Sequence, residues 1–471
     1  MNIYEVLRKK GYTTIPESFY TYIANWQSWY DGHVKSFHNY KVWNGMKFIK
    51  CSRYSLGMAK KVCEDWANLL LNEKCKITLE GKKEQDFIDS VFIRNNFSVK
   101  ANEMQEIKAA RGTVAYVPTV VNASVDVNTG EVNASGGEIR IDYVPADLIL
   151  PLTWENGIVS ECAFGSHKSV EKDTYLYICI HKRTGEGKYD IENLLFRDTK
   201  GSLLEVNLAD VPGFENIAPI VHTDFTQRMF VIDRLNIVNN VDATLPMGIS
   251  VFANAIDQIK GVDIAYDSYV NEFLLGKKRI MVQPQATKTI EGEPLFDPND
   301  AVFHVLPADG LGKEVVKEID MKLRAAEHNA GIQDMLNLLS SKCGFGENHY
   351  KYDNGNVSTA TQIMSENSEM FRTIKKHEII LESVLIELCR VLLRMGNAYM
   401  NAGLNESVEI TVDFDDSIIE DKESEFNRDA RMVQMGIMQP YEFRMRYMNE
   451  DEATAKAALP KMESLVSGEN E

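Results

Sequence analysis

The sequence has few cysteines, and their spacing does not pair them. Seven cysteines are scattered over 471 residues, and no C-x-x-C pair occurs. Disulfide frameworks and structural zinc sites both need closely spaced or regularly paired cysteines. We therefore predict reduced thiols in a cytoplasmic setting, with no disulfide framework and no zinc or other metal site.

Long apolar runs are also missing. A membrane-spanning helix needs about 18 or more consecutive apolar residues, and no stretch of the sequence approaches that length. Arg8, Lys9 and Lys10 lie where a secretory signal would need apolar residues. We expect neither a membrane span nor a secretory signal.

An excess of positive charge is a third absence, because the formal net charge is −18. Proteins that bind nucleic acid tightly usually present a basic face, since neutralised phosphates supply most of the affinity. The acidic balance argues against a sequence-specific DNA-binding protein. It is compatible with a protein that must let DNA slide past without holding it.

Catalytic motifs are absent too. The nearest matches to a phosphate loop, "TGEGKYD" at 184–190 and "DGLGKEVV" at 309–316, lack the required spacing and the hydroxyl that would hold magnesium. No H-E-x-x-H pair and no G-x-S-x-G turn occurs. We predict that the chain is not an enzyme, with no catalytic residue and no cofactor.

One acidic stretch leaves two interpretations open. "VDFDDSIIED" gathers Asp413, Asp415, Asp416, Glu420 and Asp421, which a divalent cation in a nuclease could use. The same letters fit the end of a strand followed by a helix start. Acidic residues are favoured near a helix N-terminus by the helix dipole.

The residues that are present predict an α+β fold. "YSLGMAKKVCEDWANLLLNEK" spaces its apolar residues by three and four, which is typical of an amphipathic helix. From about 75 to 225, short β-branched and aromatic runs such as "TYLYICIHKR" alternate with turns and predict strands. One helix, 100–110, is expected among them. Residues 1–75 look helical.

Three long helical patterns follow. The first, 249–275, would span roughly 40 Å if it were one continuous helix. A proline-rich insert separates it from a returning helix at 321–341, and the longest pattern covers 357–402. The tail contains a strand, "SVEITVDF", and then a helix, a turn at Gly436 and Pro440, and a second helix.

The loop "GFGENHYKYDNGN" before the longest helix has no core-forming period. An ordinary flexible connection on the surface is one interpretation. Its glycines, tyrosines and His349 are also suited to non-specific contact with a passing polymer. A basic cluster at Lys277, Lys278 and Arg279 likewise fits either a helix C-terminus or a phosphate contact.

Taken in order, these segments resemble phage portal proteins of long-tailed phages that infect Gram-positive bacteria. The likeness extends over nearly the whole chain and rests on four stretches in the right order. They are "YSLGMAKKVCEDWANLLLNEK", "LPMGISVFANAIDQIKGVDIAYDSYVNEFLLGKKRI", "GNVSTATQIMSENSEMFRTIKKHE" and "MGIMQPYEFR".

The resemblance implies a portal fold that assembles into a ring, dodecameric in this family, around a central channel. Its parts would be an N-terminal α+β wing at 1–248, a first stem helix at 249–276, a clip at 277–320, a second stem helix at 321–343, a tunnel loop at 344–356, a long helix with a return strand at 357–435, and a small helical crown at 436–471.

The resemblance also implies site residues. Stem residues near the channel would be Asp263, Asp267, Lys322, Arg324 and Glu327. Tunnel-loop residues facing DNA would be Phe345, Asn348, His349, Tyr350, Lys351, Tyr352 and Asn354. Clip residues contacting the motor or the adaptor would be Lys277, Lys278, Arg279, Glu291 and Glu293.

The function implied is that of a passive DNA conduit at one capsid vertex of the virion, assembled in the host cytoplasm. Its partners would be other copies of itself, double-stranded DNA bound without sequence specificity, the terminase large subunit, a head–tail adaptor, and the major capsid and scaffolding proteins, but no membrane. Two alternatives stay open: a metal-dependent DNA-processing enzyme using the acids of 413–421, and another capsid or connector component.

Overall fold

A computed structural model of the chain describes residues 3–72, 74–121, 124–125, 132–133, 137–199, 201–276, 279–282, 303–305, 316–319, 322–351, 360–414, 422–448 and 450–459. The chain forms two compact units, Met1–Asp413 and Phe414–Glu471. Helices and strands mix along the first unit, so the predicted α+β class is confirmed.

The described residues contain twelve α-helices: α1 Ile3–Lys9, α2 Glu17–Tyr30, α3 Lys35–His38, α4 Met58–Leu70, α5 Lys82–Arg94, α6 Phe97–Arg111, α7 Ile256–Leu275, α8 Ala325–Lys342, α9 Ala360–Met400, α10 Lys422–Gln434, α11 Pro440–Met448 and α12 Glu452–Ala457.

The strands of the same residues are β1 Asn39–Trp43, β2 Phe48–Ser52, β3 Lys76–Leu79, β4 Thr113–Val121, β5 Ser124–Val125, β6 Val132–Asn133, β7 Glu138–Pro145, β8 Ile149–Glu155, β9 Ile158–Val170, β10 Asp173–Arg183, β11 Tyr189–Asp198, β12 Leu203–Val206, β13 Ile220–His222, β14 Val231–Arg234, β15 Arg279–Val282, β16 Phe303–Val305, β17 Val316–Ile319 and β18 Ile410–Asp413.

The largest sheet of the described residues is an antiparallel meander. Its order is β12-β11-β10-β9-β8, with β13 paired to β11. A second sheet has the order β14-β4-β7, and β18 returns after α9 to pair with β3 near the N-terminus. The predicted strand-rich region is therefore confirmed, and these sheets are antiparallel.

Helices α4 and α6 pack against each other, and His377 of α9 contacts Trp66 of α4. Ala59, Cys63, Trp66 and Leu70 of α4 are buried at spacings of three and four, which confirms the predicted amphipathic helix. The left-handed backbone at Gly57, with φ of 72°, turns the chain into that helix.

A buried ion pair fixes α6 against the β14-β4-β7 sheet. Lys108 Nζ lies 3.0 Å from both carboxylate oxygens of Asp233, and both side chains are almost fully buried. Gln105 donates to the same carboxylate at 2.9 Å. Burial lowers the pKa of Lys108 and Asp233 opposes that shift, so the pair links helix and sheet at a position where either partner alone would be costly.

Helix α9 is the longest described element, with 41 residues, and it confirms the predicted rod within a few residues at each end. Its apolar stripe from Met370 to Met395 is buried. His377 of α9 accepts from the backbone N–H of Asn236 at 3.1 Å and meets Trp66 edge-on at 5.1 Å.

Three expectations were wrong. Residues 39–52, expected to be helical, form the β1–β2 hairpin. Helix α5 was not foreseen among the strands. The first stem helix does not begin at 249: a 3-10 turn at Ala253–Ala255 precedes α7, whose 20 residues span about 30 Å.

The second unit is a small helical group. Its predicted helix–turn–helix is confirmed, because α10 ends before Gly436, with φ of 71°, and α11 starts at Pro440. The buried carboxylate of Asp429 accepts from Arg446 and from the Tyr447 hydroxyl, each at 2.8 Å. These bonds fasten α10 to α11.

Candidate functional site

Helices α7 and α8 form an antiparallel pair. The start of α8 lies at the end of α7, where Arg324 donates two bonds to the Glu272 carboxylate at 3.0 and 2.8 Å. At the other end, Gly261 is so close to α8 that a Cβ there would meet the Met335 sulfur at 3.0 Å. The missing side chain of Gly261 thus permits the close approach of the two helices.

The far end of this pair is exposed and charged. Hydrogen bonding by Arg324 lowers the pKa of Glu272 to about 2, and His328 also contributes. Lys322, Arg324 and Glu327, predicted to lie near a channel, are all exposed at the start of α8. Their place beside a channel stays a prediction.

Asp263 of α7 is not a channel residue, which corrects the expectation. Only 1% of it is exposed. Its carboxylate accepts from Leu56 N–H at 2.8 Å and from Ser55 Oγ at 3.1 Å, and His38 Nε2 lies 3.2 Å away. Because the Val34 N–H donates to His38 Nδ1 at 2.8 Å, we assign the ring proton to Nε2, which donates to Asp263.

Asp267 is corrected for the same reason. It is 6% exposed, and it accepts from the Tyr54 N–H at 3.0 Å. The two carboxylates are one helical turn apart on α7, so both reach the segment that follows β2. A buried carboxylate needs such donors to offset lost hydration. The two residues hold the N-terminal segment against α7.

The beginning of the predicted tunnel loop is folded onto α4. Phe345, 2% exposed, stacks on Trp66 with ring centres 4.9 Å apart, and Trp66 Nε1 donates to the Cys343 carbonyl at 3.0 Å. Gly344 has φ of 85°, and a Cβ there would meet Thr373 at 2.9 Å, so glycine is required. Phe345 is therefore a core residue, not one that faces DNA.

The rest of this segment, Cys343–Lys351, is also held, and we call it the anchored loop. Ser340 Oγ donates to the Gly346 carbonyl at 2.6 Å, and Gln333 donates to the Tyr350 carbonyl at 2.8 Å. Asn348 has φ of 65°, the left-handed region that asparagine tolerates. The sequence alone predicted a loop without fixed contacts.

His349 and Tyr350 lie against Asp65 of α4. His349 Nε2 is 3.7 Å from the Asp65 carboxylate, and Lys61 Nζ is 2.5 Å from it. Burial by itself would raise the pKa of Asp65, but the nearby His349 and a hydrogen bond from Lys61 outweigh burial and lower it. Burial raises the pKa of the Tyr350 hydroxyl, and Asp65 adds to that shift. Lys351 is exposed.

The predicted clip is described only in part. Strand β15 pairs in parallel with β16 and antiparallel with β17, and Arg279 is exposed at its start. The remaining site residues predicted for the clip and for the tip of the tunnel loop lie outside the described residues: Lys277, Lys278, Glu291, Glu293, Tyr352 and Asn354.

The acidic stretch of 413–421 is described only at its first residues. Asp413 ends β18, opposite Lys76 in β3. The other four acids lie outside the described residues. Where the structure describes the chain, it contains no cluster of three or more histidine, cysteine, aspartate or glutamate side chains that could hold a metal, and none of its helices is both long and apolar enough to cross a bilayer.

Sequence reasoning missed His38, Ser55, Asp65 and Trp66 as contact residues. A local signal existed for the hairpin, since Asn44-Gly45 lies between runs rich in β-branched and aromatic residues. No local signal indicates that Trp66 would receive Phe345, because the two are far apart in sequence.

Comparison with known families identifies the chain. A family model described as "Phage portal protein, SPP1 Gp6-like" matches residues 10–463. Because the match spans nearly the whole chain, the protein belongs to this family. No curated protein matches the sequence.

Membership gives the protein a phage portal role. The family consists of structural, non-enzymatic proteins. It implies a capsid-associated oligomeric connector between head and tail, located at a capsid vertex of the virion.

Proposed function

We propose that the protein forms a dodecameric ring at one capsid vertex and provides the channel through which the genome is packaged and later ejected. The observation that carries this proposal is the antiparallel α7–α8 pair in a member of the portal family, with the strands β15–β17 inserted between its two helices. A ring of such pairs would enclose a channel.

The net charge of the chain supports the proposal that DNA slides through the channel. B-DNA carries one negative charge per ~1.7 Å, so a densely basic lining would grip it at every step. The chain carries −18 overall, which keeps the wall repulsive. We propose that Lys322, Arg324, Glu327 and Lys351 supply sparse contacts along the channel, with Tyr352 and Asn354 beyond the anchored loop.

We further propose that residues 277–320 contact the partners outside the capsid. The terminase large subunit would dock there during packaging, and a head–tail adaptor would replace it afterwards. Arg279 and its neighbours Lys277 and Lys278 would be contact residues, together with Glu291 and Glu293. Major capsid and scaffolding proteins would contact the wing during assembly in the host cytoplasm.

Electron microscopy and native mass spectrometry of the purified chain test the ring. Particles with an axial hole and a mass of about twelve copies would support the proposal. A chain that stays monomeric at micromolar concentration and in low salt would contradict it.

A deletion within the loop tests the DNA channel. Removing 352–356 while keeping the buried Phe345 should leave rings intact and reduce the DNA packaged or retained per capsid. Phe345→Ala is the comparison that shows the effect of damage to the fold, because it disturbs the core of each copy. If the deletion prevents ring formation, the loop is structural and its proposed role in the channel is wrong.

A further inference from the structure

The β1–β2 hairpin, Asn39–Ser52, differs in charge from the rest of the protein, and we call it the basic hairpin. It carries Lys41, Lys47 and Lys50 and no acidic residue. The cationic tract is longer still: residues 32–63 contain seven lysines and arginines and no aspartate or glutamate. Since the whole chain carries −18, the remaining residues carry −25.

The basic hairpin is also strongly apolar on its outside. Five large side chains are between 42% and 87% exposed: Val42, Trp43, Met46, Phe48 and Ile49. Clusters of exposed apolar side chains usually mark an interaction surface. A two-stranded ribbon alone in water is only marginally stable. The surface therefore has the character of a binding site without its partner.

The register places the aromatic pair and two lysines on one face, whereas Val42 and Ile49 lie on the other. Trp43 lies opposite Phe48, with ring centres 5.1 Å apart, and two residues further along the strands Lys41 lies opposite Lys50. Like charges directly opposite each other destabilise a strand pair. Carboxylates from a partner would offset that repulsion, while the aromatic pair would bury against its apolar atoms.

The hairpin is attached rigidly at its base. His38, immediately before β1, donates to Asp263 of α7, and Tyr54, Ser55 and Leu56, shortly after β2, donate to Asp267 and Asp263. The turn is fixed as well, because the Asn44 side chain accepts from the Met46 and Lys47 N–H groups at 3.0 and 2.8 Å. A surface held in this way loses little conformational entropy on binding.

We propose that the basic hairpin docks onto an acidic, partly apolar surface of a neighbouring copy of the same chain. Charge complementarity favours this occupant, because the remainder of each copy carries −25. Two basic hairpins would repel each other, so the contact joins two different surfaces. Repeated head-to-tail contacts of that kind form a ring when the rotation between copies closes, and they do not form two-fold dimers.

This inference rests on the proposed ring and adds the contact that closes it. DNA is a poorer occupant, because a phosphate backbone offers no apolar surface to cover Met46, Trp43 and Phe48. The hairpin's attachment to α7 also couples any force on the contact directly to the helix pair.

Two double variants test the two halves of the surface. Trp43→Ser with Phe48→Ser removes the aromatic pair, and Lys41→Glu with Lys50→Glu reverses the charge. We expect each to lower the fraction of chains in rings at least tenfold in native mass spectrometry, with unchanged far-ultraviolet circular dichroism of the monomer. Matched controls are Ile158→Ser with Leu204→Ser, which are 63% and 52% exposed, and Lys168→Glu with Lys172→Glu.

Photocrosslinking provides a second measurement that does not depend on how well the variants fold. A benzophenone amino acid at Met46, the most exposed of the five apolar positions, should link neighbouring copies and identify an acidic peptide. Crosslinks only within one copy, or only to added duplex DNA, would overturn the proposal.

The outcomes separate this inference from the proposed function. If the unmodified chain forms rings and both hairpin variants form them equally well, the docking surface is wrong and the ring stands. If the unmodified chain forms no rings, the proposed function fails and this inference fails with it.

Discussion

The anchored loop and the basic hairpin both connect helices, but the loop buries its aromatic residue and the hairpin exposes its aromatic pair. The anchored loop lies flat on α4, with Phe345 buried against Trp66. The basic hairpin is held only at its base, and its aromatic pair is exposed. Each contains an aromatic residue near a tight turn, yet only one of these residues belongs to the core.

The difference lies in what each segment finds nearby. Trp66 offers the loop an apolar ring and an N–H donor in a buried site. The hairpin's neighbours are the buried carboxylates Asp263 and Asp267, which bind backbone and polar groups at its base but offer nothing to the tip. Exposed aromatic residues on a rigid base suit binding between molecules, whereas buried ones stabilise the single chain.

Replacing the two tryptophans by alanine should give the largest contrast. Trp66→Ala leaves a cavity and releases the Cys343 carbonyl, so we expect a loss of about 3–5 kcal/mol in the free energy of unfolding. Trp43→Ala, at a position 55% exposed, should change that free energy by less than about 0.5 kcal/mol. Denaturant unfolding of the monomer measures both. Equal losses would show that the hairpin tip packs in the core.

Removing the Asp263 carboxylate, which accepts hydrogen bonds from the base of the hairpin, should have the next largest effect. Asp263→Ala leaves the donors of His38, Ser55 and Leu56 buried without an acceptor, which should cost roughly 3 kcal/mol. Hydrogen exchange in 39–52 should accelerate. Asp257→Ala on the same helix is the control, since its side chain is 86% exposed. Unchanged hydrogen exchange in the hairpin would show that Asp263 does not hold the hairpin in position.

The attachment of the loop to Asp65 should depend on pH. The folded state lowers the pKa of this carboxyl below 3.8, so its stabilisation is present above that value and is lost as the pH falls through the lowered pKa. Asp65→Asn should cost under about 1 kcal/mol at pH 6. The difference in melting temperature between Asp65→Asn and the unmodified protein should disappear below about pH 4.

Asp210→Asn, at an exposed position, is the control for that experiment. A difference that persists unchanged into acid would mean that the Asp65 charge is not what holds the loop.

The exposed contact between Arg324 and Glu272 should give the smallest effect. Glu272→Gln removes the negative charge and one of the two acceptor oxygens, but solvent and salt screen the pair. The shift in melting temperature should be smaller than for Asp65→Asn and should vanish in 1 M salt. The pKa of Glu272 is about 2, so the shift should also fade between about pH 4 and 2. A large, salt-independent loss would show that this contact is essential to the helix pair.

Local periodicity predicted much of the frame. The stripe of α4, the length of α9, and the turn between α10 and α11 follow from spacings of three and four and from Gly436 and Pro440, which act within a few residues. The start of α7 could not be predicted in this way. Its preceding segment has helical spacing, but Val251 N–H bonds to the Ala109 carbonyl, so that segment belongs to a contact with α6.

The residues of the candidate site show the same distinction between local patterns and distant contacts. Lys322, Arg324 and Glu327 are exposed as expected, since a charged residue at a helix start needs no distant partner to stay in water. Asp263, Asp267 and Phe345 were assigned wrongly from the sequence. Each of them contacts a residue more than two hundred positions away, and no local pattern encodes those distant neighbours.

The sequence by itself determined the class of the protein, its strand-rich region, its longest helices and its surplus of negative charge. Periodicity acts over a few residues and composition is a sum over the chain, so both can be evaluated from the sequence without a structure. Only the tertiary structure decided which acids are buried and which aromatic residues are exposed. Burial depends on what two distant segments place next to each other, and at Asp263 and Trp66 those contacts reversed the local expectation.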